Sequence, residues 1–177
     1  MRSISLLRHA KSSWDDPVAR DFDRPLNARG RRAAVRMGQF LRDEGLAFDA
    51  VLASPAVRVV ETIAGVEEGY GRSLGPQYDR RIYMASAASL LEVVQGAADV
   101  AHLLLVGHNP GLEDFVLLAT DPAADLLRRE VEAKYPTAAL ATLAYEVAHL
   151  AQVGEGEGRL VRFVRPRDLD PGLGPDS

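Results

Sequence analysis

Leu103-Leu104-Leu105-Val106-Gly107-His108-Asn109-Pro110 is four apolar residues closed by a turn signal, and its reading decides the fold. A continuous apolar run of this length describes a strand covered on both faces, with no wet side of its own. Ile4-Ser5-Leu6-Leu7 is a second such run and ends in Arg8-His9. Ala50-Val51-Leu52-Ala53 is a third, and it ends in Ser54-Pro55 shortly before Arg58. In an open parallel sheet the first polar residues past such strands emerge at the rim where ligands bind. The three ends therefore predict one pocket that gathers two imidazoles, His9 and His108, and two guanidiniums, Arg8 and Arg58. Cations packed together repel and call for an anion. His102 and His149 have no such company and read as structural.

Around these runs, strand candidates alternate with helical stretches, the pattern of parallel strands joined by helical crossovers. The predicted fold is α/β: a three-layer α/β/α sandwich with a mainly parallel central sheet. A first crossover helix follows Pro25-Leu26-Asn27, with Asn27 as cap, Ala34, Met37 and Leu41 on one face, and Gly45 at its end. Ser54 and Pro55 suit the cap and first turn of a second helix, which carries Arg58 and Thr62. A third helix starts at Ser86 and a fourth at Pro110-Gly111. Ala138–Tyr145 and Arg159–Val164 read as an antiparallel hairpin at the sheet edge near the C-terminus. The expected division is a single domain over 1–166 and a flexible tail over 167–177, where Pro, Gly and Asp leave little apolar surface to offset ordering.

The 177 residues suffice for one core, and 47% hydrophobic content is ordinary for a globular domain. With 21 Lys+Arg against 25 Asp+Glu the net charge is -4, which gives no general attraction to nucleic acid or an anionic membrane. Neither is expected as a partner. No stretch approaches the roughly 20 apolar residues that span a bilayer. Met1-Arg2-Ser3 leads into a strand and not into a signal-peptide core, so a cytoplasmic protein is expected. The absence of cysteine removes disulfides and thiolate chemistry, and four histidines make a dedicated zinc site improbable. Neither metal nor cofactor is expected.

A neutral imidazole is a good nucleophile toward phosphorus, and a guanidinium holds two phosphate oxygens with parallel hydrogen bonds. His9 is the preferred nucleophile, because Arg8 precedes it and Ala10-Lys11-Ser12-Ser13 suits a turn beside an anion. Chemistry alone leaves His108 as the alternative, with the other imidazole binding oxygens or moving a proton. Arg8, Arg58, His108 and Asn109 are the expected substrate-binding residues. Lys11, Arg24 and Trp14 either line the pocket mouth or are solvated cations and a cover for the core edge. Arg31-Arg32 with Arg36, and Arg128-Arg129, read as solvent-facing.

Leu7-Arg8-His9-Ala10, Ser54-Pro55 with Arg58 and Thr62, and Val106-Gly107-His108-Asn109-Pro110 together resemble the three motifs of the histidine phosphatase superfamily, also called phosphoglycerate-mutase-like. Asp21-Phe22-Asp23-Arg24-Pro25-Leu26-Asn27 and Tyr135-Pro136-Thr137-Ala138 are most similar to its SixA-type phosphohistidine phosphatase branch. The resemblance implies a metal-independent phosphatase in which His9 is transiently phosphorylated while Arg8, Arg58 and His108 complete the pocket. It further implies a phosphorylated substrate, either a phosphohistidine protein or a small phosphate compound. Many members place a glutamate proton donor before the fourth strand. Here Asp79-Arg80-Arg81-Ile82-Tyr83-Met84 offers no clear counterpart, with Asp79 and Glu92 as weak candidates, and Thr137 is a candidate support behind the site. An imidazole leaves more readily than an alkoxide, so the omission favours a phosphoramidate substrate. The competing readings are a broad phosphomonoesterase, a mutase, which would need a lid this short chain lacks, and a noncatalytic phospho-ligand module.

Overall fold

In the computed structural model, which describes residues 1–17, 19–123 and 126–174, the apolar runs form the centre of a six-stranded sheet. The strands are β1 (Arg2–Arg8), β2 (Ala50–Ala53), β3 (Gln77–Tyr78), β4 (His102–Gly107), β5 (Leu140–Tyr145) and β6 (Arg159–Val164). They lie in the order β3-β2-β4-β1-β5-β6. The β1, β2, β3 and β4 pairings are parallel, and β5 and β6 run antiparallel on the far side of β1.

Period-two alternation divides each apolar run between two cores. Ile4, Leu6, Leu103 and Leu105 face one core, together with Phe115, Val116 and Val131. Leu7, Leu104 and Val106 face the other, with Val51, Ala53, Ala34, Met37 and Val66. Helices α3 (Ala87–Gln95), α4 (Gly111–Ala119) and α5 (Leu126–Ala133) cover the first face; α1 (Ala28–Asp43) and α2 (Val57–Tyr70) cover the second. The result is the three-layer α/β/α sandwich that the sequence predicts. No helix among the described residues is long and apolar enough to cross a membrane.

The caps mostly follow the sequence. The Asn27 side chain accepts from Gly30 N, and Ser86 accepts from Ser89 N. Helices α1 and α2 lie so close that a Cβ on Gly38 would stand 2.1 Å from Val66 O, and one on Gly69 2.0 Å from Val35 O. These glycines are contact surfaces of the pair.

Five expectations need correction. The C-terminal segment is not an unpacked tail through Gly174: α6 (Pro166–Leu169) and a following 3-10 turn lie against α1, with Leu173 buried. Arg29 donates to Gly174 O and Arg36 to Leu169 O, so two cations of α1 satisfy carbonyls of that segment. Residues 175–177 lie outside the described residues. Arg36 is consequently half-buried while Arg31 and Arg32 stay exposed. Arg128 is buried, donating to Thr120 Oγ1, Glu132 and Leu117 O. Trp14 covers no core, being 76% exposed. Finally, the second helix starts at Val57 with Ala56 as cap, and Ser54, which accepts from Ala56 N, also faces the site described next.

Candidate active site

Strand register builds the site. Arg8 pairs with Gly107 across β1 and β4, so His9 and His108 leave adjacent strand ends side by side, and His9 N donates to Gly107 O. Ala53 pairs with Val106 across β2 and β4, which puts Ser54 beside the same rim. The rings of His9 and His108 are 5.3 Å apart between centroids. Arg58, in the first turn of α2, reaches between them: its Nε donates to His9 Nε2 at 3.4 Å and its Nη2 to His108 Nδ1 at 3.2 Å. The predicted quartet of Arg8, His9, Arg58 and His108 is thus brought together.

Each ring is fixed by its second nitrogen. His9 Nδ1 lies 2.7 Å from Ala10 O, and because a carbonyl only accepts, Nδ1 carries the hydrogen and Nε2 the lone pair. Arg58 can only donate to His108 Nδ1, so the His108 hydrogen sits on Nε2 and is donated to Ser54 Oγ at 2.7 Å. Burial, followed by neighbouring cations, keeps both rings neutral: His9 is held down to about 3 and His108 to about 4. Thr62, one turn after Arg58, donates to Arg58 O and accepts from Ala10 N, tying α2 to the residue that orients His9. Ala138 is in the left-handed region, with φ of 60°, and its N–H is shared between Arg8 O and His9 O. That turn is why β5 starts at Leu140 and not at Ala138.

Arg8 donates Nη1 to Tyr135 O, while its Nε is buried with no hydrogen-bond partner among the described residues. A buried guanidinium N–H beside a nucleophile is a suitable donor to a phosphoryl oxygen. Asn109 lies beside Arg8 on the same carbonyl. Its Nδ2 donates to the same Tyr135 O, and its Oδ1 accepts from Glu113 N in α4, so both ends of the side chain are engaged by the scaffold.

Two residues in contact with the quartet were not singled out from the sequence. Asp21 accepts from Arg58 Nη2 at 3.0 Å, from Arg24 Nη2 at 2.9 Å and from Tyr83 Oη at 2.5 Å. Partial burial pushes its carboxyl up, but the Tyr83, Arg24 and Arg58 hydrogen bonds outweigh this and hold it well below the usual carboxylate range. The Tyr83 ring is edge-on to His108 at 5.4 Å and to Phe22 at 5.2 Å. Asp21 lay within a quoted segment, yet nothing in its spacing marks a contact with a residue 37 positions away. Arg24 is not a solvated cation; it stacks on Trp14, 3.7 Å from the ring centroid, and also donates to Ser12 Oγ.

The weak acid candidates are engaged elsewhere. Asp79 pairs with Arg81 and accepts from Arg81 N, and Glu92 lies on α3 within the field of Arg81. Glu113 is a carboxyl closer to the quartet: burial and then Asp114 raise its pKa, against the opposing charge of Arg8.

Imidazoles and guanidiniums arranged in this way can pass a phosphoryl group, and comparison with known proteins agrees. The chain belongs to the histidine phosphatase superfamily (branch 1), whose model matches residues 4–82, and it is a phosphatase. A protein of unassigned function from Mycobacterium tuberculosis is 37% identical over 164 residues, covering 91% of this chain and all of that one. Within the superfamily the chain falls in the SixA-type branch. A crystal structure from Agrobacterium tumefaciens, provisionally named phosphohistidine phosphatase SixA, is 30% identical with a TM-score of 0.77, covering 93% of this chain and 98% of that one. One from Nakamurella multipartitia, with the same provisional name, is 28% identical with a TM-score of 0.79, covering 93% and 96%.

Proposed function

We propose that this phosphatase hydrolyses phosphohistidine in proteins, in two steps and without a metal. Nε2 of His9 attacks phosphorus as the bond to the leaving group breaks, and water then takes the phosphoryl group and returns His9 to its neutral form. Arg8 and Arg58 hold the equatorial oxygens, where negative charge spreads in the transition state, and His108 joins them from the adjacent strand. One observation carries the assignment of His9 over His108: its Nδ1–H is fixed on Ala10 O, which leaves an unprotonated Nε2 facing Arg58. His108 presents Nε2 to Ser54 and only Nδ1 to Arg58. The names carried by the SixA-type neighbours support phosphohistidine as the substrate.

Rapid quenching during turnover of a phosphohistidine protein, with and without chelator, tests the proposal. The expected result is an acid-labile, alkali-stable phosphoenzyme that is unaffected by chelator and absent from His9→Ala. Normal turnover by His9→Ala overturns the nucleophile, and no phosphate release from any phospho-substrate favours a noncatalytic binding module. Glu113 alone favours a second reading as a phosphomonoesterase, since a raised carboxyl can protonate an alkoxide. Small esters turned over faster than phosphohistidine would support it.

A further inference from the structure

We infer that Asp21 is the acceptor for the ring N–H of the departing imidazole, and that it thereby selects phosphoramidates over phosphoesters. The inference rests on the proposed phosphoryl transfer to His9 and adds the leaving-group side of it. In the acceptor ring, Nε2 forms the new bond to phosphorus while the opposite nitrogen keeps a hydrogen held by Ala10 O. Transfer from one imidazole to another is chemically symmetric, so the donor ring needs a matching acceptor for the hydrogen on its own distal nitrogen.

Asp21 fits that requirement in position, capacity and charge. It is joined to Arg58, the same guanidinium that touches His9 and His108. An ionised carboxylate offers about four acceptor sites. Among the described residues Arg58 and Tyr83 occupy Oδ2 and Arg24 occupies Oδ1, which leaves a lone pair on Oδ1. The side chain is 45% exposed and so remains open to a ligand.

The transfer then balances without an outside proton. The substrate ring, protonated on its distal nitrogen, carries positive charge that the carboxylate stabilises. As the His9–phosphorus bond forms and the substrate nitrogen–phosphorus bond breaks, the electron pair returns to the leaving nitrogen. The ring departs as neutral imidazole, its hydrogen still donated to Asp21. An ester gains nothing from this group, because its alkoxide needs a proton and an ionised Asp21 has none to give.

Asp21→Asn tests the inference when kcat/KM is measured on a phosphohistidine protein and on an aryl phosphate. A charge-assisted hydrogen bond to the leaving group predicts that the phosphohistidine rate falls by about tenfold or more beyond the fall in the aryl phosphate rate. Parallel losses overturn the inference, since they are what a carboxylate that only positions Arg58 would give. No turnover of either substrate by the wild-type protein overturns the phosphatase reading along with it. A second measurement does not depend on the variant: phosphoimidazole against its distal N-methyl derivative, each relative to its uncatalysed rate. The wild-type protein should disfavour the methylated ring by about tenfold or more, and equal acceleration of the two overturns the inference.

Discussion

The Ser54 hydroxyl lies 2.7 Å from Nε2 of His108, with Ser54 fully buried. Because Arg58 donates to the other ring nitrogen, Ser54 is the group that holds the His108 hydrogen on Nε2 and turns Nδ1 toward the pocket. Removing it leaves the buried Nε2–H without its acceptor and the ring held only through Nδ1 by Arg58. Ser54→Ala should lower kcat by roughly tenfold and stability by about 1–2 kcal/mol. Steady-state kinetics beside urea denaturation checks both, and an unchanged kcat with lowered stability would reduce Ser54 to a structural role.

Two neutral, buried imidazoles make stability depend on pH. His9 and His108 have folded-state values of about 3 and 4, below the ordinary 6.5, through burial first and neighbouring cations second. Between those limits the unfolded chain binds more protons than the folded one, so stability is present above about pH 6.5 and is lost as pH falls. Each histidine contributes at most about 1.4 kcal/mol per pH unit, and together they should cost roughly 4 kcal/mol between pH 7 and pH 5. Denaturant midpoints at the two pH values should show this loss in the wild-type protein and not in a His9→Ala, His108→Ala double variant. Equal losses in both proteins would mean that the rings are solvated in the fold.

Much of this was legible in the chain, and the physical reason is periodicity. Runs such as Leu103-Leu104-Leu105-Val106 need apolar partners on both faces, so the layer order follows from the sequence, and register then brings His9 and His108 together. What stayed hidden depends on contacts between distant segments. Ser54 read as a helix cap because its short-range preference is for capping, but the rim of β2 delivers it to a histidine 54 residues on. Arg128 read as solvated because its neighbours in sequence are charged, whereas Thr120 and Leu117 supply buried acceptors. Leu169 and Leu173 are two leucines four residues apart in a tail otherwise rich in Pro, Gly and Asp, too weak a signal to show that they pack beside α1. Asp21 was hidden for the same reason, since Arg58 and Tyr83 come to it from other elements.

Arg8 requires the shape of a guanidinium as well as its charge. Nη1 is fixed on Tyr135 O at 2.9 Å, and the buried Nε has no hydrogen-bond partner among the described residues. A lysine places one ammonium where the guanidinium offers several directed donors, so it can satisfy Tyr135 or a phosphoryl oxygen but not both in the same geometry. Arg8→Lys should therefore lower kcat/KM by about 10- to 100-fold. It should also acquire a pH dependence that the wild-type protein lacks. Burial and the charge of Arg58 already lower the pKa of Arg8, and the same forces acting on a lysine bring its titration toward neutral pH. Residual activity of the variant should fall as pH rises and the ammonium loses its proton, while the wild-type arginine stays charged. A pH–rate profile of both proteins from pH 6 to 9 decides the point. Wild-type activity in Arg8→Lys across that range would show that positive charge alone suffices beside His9.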